Sequence, residues 1–304
     1  MSNGDRDAET RSIVDWLLLI VRGERDTRLR AVWRVLVAAV VFLELANTVG
    51  VSVASALGPV SGGDQRLAMV ITSVTAAGVL GVILLGWARY VDRRPVSNYG
   101  FSLSPAWAVD LLAGFGAVLV AYGLWFALAS VLGGSAVEVS LADVPGAVLV
   151  WLAAGLVTNL FSALVQDTVY FGVILKNAAE GIRGWGITPI RAVLGGWLVG
   201  ILFFVLVHGG ATDPVVLLNW VVGAGVFGLL YVHTGELALP IGAHAAGNFV
   251  SNAVVLTGTV PVPRIVSAWA YPKMAVAYLV ALAWLYWRRG EVPIEHRIAE
   301  WPGR

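Results

Sequence analysis

A hydrocarbon layer about 30 Å thick takes roughly 20 apolar residues of helix to cross, and runs of that length follow one another along most of this sequence. They lie near 33–57, 67–88, 107–132, 146–174, 192–211, 214–232, 237–257 and 269–287, about eight in all. Backbone amides inside a bilayer have no water to bond, so segments of this kind must be helices that satisfy themselves. The expected fold is therefore all-α, a polytopic membrane protein with about eight transmembrane helices. Gly and Pro mark the joints at Gly58-Pro59, Gly133-Gly134, Pro145-Gly146, Gly209-Gly210 and Pro261. With 58% hydrophobic and 13% charged residues, the chain lacks the polar surface of a soluble domain.

The flanks carry the orientation. Residues 1–12 are polar, and the apolar stretch behind them, 13–21, is too short to cross a membrane and holds Asp15, which suits an interfacial helix. If the N-terminus is cytoplasmic, every Lys and Arg falls on the cytoplasmic side except Arg66, Arg264 and Lys273. Short cytoplasmic loops collect such residues, so both termini are expected inside, in a cell membrane whose lipids are the first partners. The chain divides into a cytoplasmic segment (1–32), accessory helices (33–144), a core (145–257), and a last helix with its tail (258–304). A net charge of +1, with basic residues spread over loop ends, gives no nucleic-acid surface. No cysteine is present, which removes disulfides and thiolate chemistry.

Chemistry is left to a few polar side chains inside the apolar runs. An ionisable group in hydrocarbon costs about 2.5 kcal/mol or more on insertion scales, and it is seldom kept without a partner or a task. His208 stands in LFFVLVHGG and His244 in LPIGAHAAGNF, while Gln166 and Asp167 lie together in LFSALVQDTVYFG. Asn248 follows His244 by four residues, as His208 follows Phe204, and positions four apart share a helical face. A carboxylate, two imidazoles and an amide meeting between helices suffice for hydrolysis: carboxylate and one imidazole to deprotonate water, the rest to stabilise an oxyanion.

The order of an acidic pair, then FxxxH, then HxxxN, on separate spans, resembles the CAAX protease and bacteriocin-processing family, or Abi family, of intramembrane endopeptidases. The resemblance covers about 145–255 and a lead-in, RRPVSNYGFSLSPAW, at 93–107. It includes Phe204 to His208, and His244 to Asn248 with the stretch GELALPIGAH that leads into the latter. The resemblance implies an intramembrane endopeptidase acting through water held by Glu and His, with a membrane-associated peptide or a prenylated tail as substrate. The first motif departs from that pattern. The family reads EExxxR where this chain has Gln166, Asp167 and Phe171. An amide has no basic form of use, so Gln166 cannot be the base that the family's leading Glu provides. Asp167 lies about 100° further round the helix, is one methylene shorter, and would need helix rotation or local unwinding to reach the same water.

Two readings follow: an endopeptidase with a displaced base, or a catalytically impaired homologue that binds peptide, lipid or a partner protein in the same cavity. A small transporter is a third, without internal repeats to support it. No cofactor is expected. Zinc held by His208, His244 and Asp167 is a weaker alternative, since the ligands are dispersed and HExxH is absent. Glu44 and Asp110 read as structural, His233 as solvated at a span end, and the tryptophans near span ends as an interfacial belt. Counted along straight helices, Gln166 and His244 fall in the inner half of their spans and His208 near the outer end of its own. Convergence therefore requires a more deeply seated fifth helix, or helices tilted or broken around a cavity.

Overall fold

The computed structural model describes residues 21–22, 28–57, 65–133, 148–208, 213–251 and 270–301. Nearly all of the expected interfacial helix at 13–21 lies outside them. The described residues form helices and connecting turns without a strand: α1 (Ala31–Leu57), α2 (Gln65–Gly86), α3 (Pro105–Gly133), α4 (Val148–Asp167), α5 (Lys176–Gly184), α6 (Pro189–Val207), α7 (Pro214–Thr234), α8 (Ala238–Phe249) and α9 (Ala270–Arg289). The fold is that of a polytopic membrane protein. Five helical stretches are long and apolar enough to cross a bilayer: Arg66–Asp92, Pro105–Leu128, Val150–Gly184, Pro189–Val207 and Pro214–Thr234. Of the helix expected over 237–257, α8 covers Ala238–Phe249 and residues 250–251 continue it as a π turn, while 252–257 lie outside the described residues.

Three helices run into π turns among the described residues, α8 at Val250 and Ser251 and two others at greater length. Trp87–Asp92 extends α2, and Thr168–Leu175 continues α4, beginning directly after Asp167. Insertions of this kind shift the register of everything downstream and are frequent at functional sites. Every residue from Thr168 to Leu175 is buried.

The short α8 forms the centre of the bundle, buried from Ala238 to Ala246 and packed against α3, α4 and α7. Two glycines let it approach α3. A Cβ at Gly242 would fall inside the contact radius of the Leu111 carbonyl oxygen, and one at Gly114 inside that of Leu239. Close crossings through small residues are the usual way membrane helices gain packing energy, lipid giving them no hydrophobic drive to associate. Gly242→Ala is therefore expected to destabilise the bundle by about 1–3 kcal/mol, the cost of overpacking. A thermal melt of the detergent-solubilised protein checks it, and an unchanged midpoint would refute so tight a crossing.

The lead-in loop closes one end of this centre. The Leu237 amide donates to the Gly100 carbonyl at 2.9 Å, as does Trp107 Nε1 at 2.9 Å, and the Ser102 amide donates to Glu236 Oε2 at 3.3 Å. The stretches 93–107 and 235–244, far apart in sequence, thus meet. Gly100 has φ +105° and its α-carbon faces the Gly235–Leu237 backbone, a conformation and a clearance that only glycine meets without strain. His233 is bonded rather than simply solvated: its ring nitrogens contact the Pro293 carbonyl at 2.8 Å and Tyr278 Oη at 2.7 Å. Asp110 ties α3 to α9 by accepting from Arg288 and from Trp284 Nε1.

Candidate active site

Asp167 ends α4 and is fully buried, as is nearly all of His244 on α8. His244 Nδ1 lies 2.9 Å from Asp167 Oδ1, a hydrogen-bonded pair across two packed helices. Gln166, one residue earlier, is aimed elsewhere: its Nε2 donates to Ser162 Oγ at 3.2 Å on its own helix. The carboxylate that reaches an imidazole is therefore Asp167, at the point where α4 turns into π-helix. Its other oxygen, Oδ2, and Gln166 Oε1 are both buried without a hydrogen-bond partner. Buried acceptors are rarely left so, and two on neighbouring residues fit a bound water or substrate N–H.

His208 closes α6 as its C-terminal cap rather than lying within the helix. Two glycines follow it in sequence, and glycine costs about 1 kcal/mol in a helix relative to alanine. Its Nδ1 contacts the Phe204 carbonyl at 2.7 Å, and its ring stacks on Phe204 at 4.2 Å between centroids. The same phenyl ring sits 5.9 Å from His244, so Phe204 neighbours both imidazoles. The depth mismatch counted along straight helices is thus absorbed. Phe227 stacks on the other side of His244 at 4.6 Å, and Trp220 lies 5.3 Å from His208. Asn248 is half-buried one turn beyond His244.

The hydrogen bonds select the tautomer that each ring takes in its neutral form. A carbonyl only accepts, so His208 must carry its proton on Nδ1; Asp167, if ionised, demands the same of His244. Both Nε2 atoms are then lone pairs able to accept a proton. Phe171 is fully buried against Gly200 and Gly228, whose missing side chains make room for the ring. Among the described residues no group of three or more His, Asp or Glu side chains gathers as a metal site.

Residues 148–250 match the family model described as type II CAAX prenyl endopeptidase Rce1-like. The similarity is to that segment alone, about a third of the chain. The segment holds Gln166, Asp167, Phe204, His208, His244 and Asn248, and bears out the resemblance read from their spacing. No curated protein and no solved structure matches the chain. The matched segment spans α4 to α8, with α3 and the lead-in loop packed on it from outside the match.

A second polar cluster escaped the motif reading. Arg34, Asp92, Arg94, Asn177 and Glu180 come from α1, the end of α2, the lead-in loop and α5. Asp92 Oδ2 accepts from Tyr99 Oη at 2.6 Å and from Asn177 Nδ2 at 3.0 Å, and Asp92 Oδ1 from Arg34 at 3.1 Å. Glu180 pairs with Arg94 at 2.5 Å and Arg34 at 3.2 Å. The sequence signal was faint: Asn177 and Glu180 are one turn apart on α5, and their partners lie far away along the chain.

Proposed function

We propose that this protein is an intramembrane endopeptidase in which an Asp167–His244 pair supplies the base that Gln166 cannot. The observation that carries the reading is the 2.9 Å contact between Asp167 Oδ1 and His244 Nδ1. A carboxylate behind an imidazole fixes its tautomer, orients its far nitrogen and stabilises the imidazolium that forms on proton uptake. His244 Nε2 takes a proton from water, the hydroxide adds to the scissile carbonyl, and the same proton passes to the departing amine. Asn248, on the same face of α8, donates to the oxyanion. His208, held by Phe204 and Trp220, offers a second acceptor for the water. The substrate is a membrane-associated peptide or prenylated tail entering from the lipid, in keeping with the CAAX prenyl endopeptidase description of the matched family.

The alternative, a binding protein without catalysis, is favoured by the loss of the motif's Glu and Arg. Quenched peptides, with and without a prenylated cysteine, offered to the purified protein in nanodiscs separate the two. Turnover is expected, and Gln166→Glu is expected to change it less than tenfold, because Gln166 faces Ser162. Cleavage that appears only in Gln166→Glu would establish the impaired reading instead.

A further inference from the structure

The membrane-spanning stretch Arg66–Asp92 ends in the π turns Trp87–Asp92. At that end lies an open cavity of about 580 Å³ lined by Ala88, Arg89, Tyr90, Arg93, Arg94 and Pro95. Three of the six are arginines and none is acidic. Asp92, which stands among them in sequence, is fully buried and turned inward, where it accepts from Tyr99 Oη and Asn177 Nδ2. Arg94 is also committed inward, to Glu180 at 2.5 Å, and so fixes the inner wall of the cavity. Arg89 and Arg93 are exposed, and they bring two positive charges to its outer rim.

Arg93 reaches this place against the preference of its backbone. It has φ +51° and ψ +52°, the left-handed conformation that glycine usually takes after a helix end. For a residue with a Cβ that conformation is strained, and strain of this kind collects at functional sites. The helix dipole favours cations at a C-terminus, and basic residues flank many spans. Neither requires an arginine where glycine fits without strain, whereas a ligand held by the guanidinium gives one a purpose. The surroundings select that ligand. Guanidinium forks match phosphate oxygens two at a time. Tyr90, 78% exposed, lies beside them at the end of the span, where amphipathic rings sit at headgroup level. Val82 and Leu85, 72% and 62% exposed, are the most exposed large apolar side chains of α2 and lie deeper in the hydrocarbon. A soluble phosphate would use the arginines alone; a phospholipid uses the arginines, the ring and the apolar side chains below. We infer that Arg89 and Arg93, on a wall fixed by Arg94, bind the phosphate of an anionic phospholipid whose acyl chains run along α2 past Val82 and Leu85. The site is separate from the Asp167–His244 pair and stands whether or not the protein cleaves peptides.

The full-length protein in detergent is titrated with phosphatidylglycerol or with phosphatidylcholine of equal chain length, and native mass spectrometry reads the dissociation constant of the first lipid bound. Phosphatidylglycerol is expected to bind more tightly by about tenfold or more, since each basic side chain at an anionic headgroup contributes on the order of fivefold. Arg89→Gln and Arg93→Gly are each expected to lose about fivefold of this affinity. Arg191→Gln, which removes another exposed arginine at the start of α6, is expected to lose none. Arg93→Gly also relieves the left-handed backbone, so its thermal midpoint should hold or rise, and misfolding then cannot produce the loss. No preference for phosphatidylglycerol, or a preference that survives both Arg89→Gln and Arg93→Gly, overturns the site. An equal loss in Arg191→Gln would show a diffuse surface field and overturn it too. Glycerol phosphate bound as tightly as the lipid would assign the arginines to a soluble phosphate and overturn the lipid.

Discussion

Asp167→Asn is expected to lower the rate of peptide cleavage by about 10²- to 10⁴-fold, the range for losing a positioned base. Asparagine fills the same volume and can still accept from His244 Nδ1, so the ring keeps its place and its tautomer. It cannot stabilise the imidazolium that forms when His244 Nε2 takes the proton of water, because it carries no charge. The loss should therefore fall on kcat, with KM nearly unchanged, since the interaction is one made in the transition state. His244→Ala and the double variant should lose about as much as Asp167→Asn alone, because residues that act as a unit are not additive. Initial rates of the three proteins on one peptide decide the matter. If Asp167→Asn turns over at the wild-type rate, the carboxylate is structural and the dyad mechanism falls.

The sequence made the helices legible because bilayer thickness ties helix length to apolar content, a one-dimensional property. It made the constellation legible because FxxxH and HxxxN each put two side chains on one face. What it concealed was which of Gln166 and Asp167 meets His244. A straight α-helix places them about 100° apart, and neither composition nor spacing reveals that the chain widens into π turns directly after Asp167. The convergence of His208 with His244 was hidden for a related reason. It depends on α6 stopping at Val207 and on Phe204 neighbouring both rings, which are three-dimensional facts. The polar cluster around Asp92 and Glu180 was still less visible. Its arginines look like ordinary cytoplasmic loop charges until the fold buries them.

That cluster is where the largest loss of stability is expected. Arg34 and Arg94 have side chains at most 4% exposed, and they share the carboxylates of Asp92 and Glu180, themselves at most 5% exposed. Burial alone would depress the Arg94 guanidinium; Glu180 and Asp92 reverse this and hold it above its ordinary value. Burial and the adjoining Asp92 carboxylate raise the Tyr99 phenol, which stays protonated and donates to it. Each ion is thus tolerated only because of its neighbours. Glu180→Ala leaves the guanidinium groups with a single carboxylate, and removing one partner of a buried pair costs about 3–5 kcal/mol, far more than a surface bridge. The cluster ties α1, the end of α2 and the lead-in loop to α5, which continues directly from the π turns behind Asp167, so the loss should also loosen the site. Glu180→Ala is expected to lower the thermal midpoint of the solubilised protein sharply, followed by tryptophan fluorescence. Adding Arg94→Met should recover part of the loss, because it removes the cation that was stranded. A single variant as stable as wild type, or a double variant losing the sum of both, would show that these charges are solvated and do not hold the fold at this end.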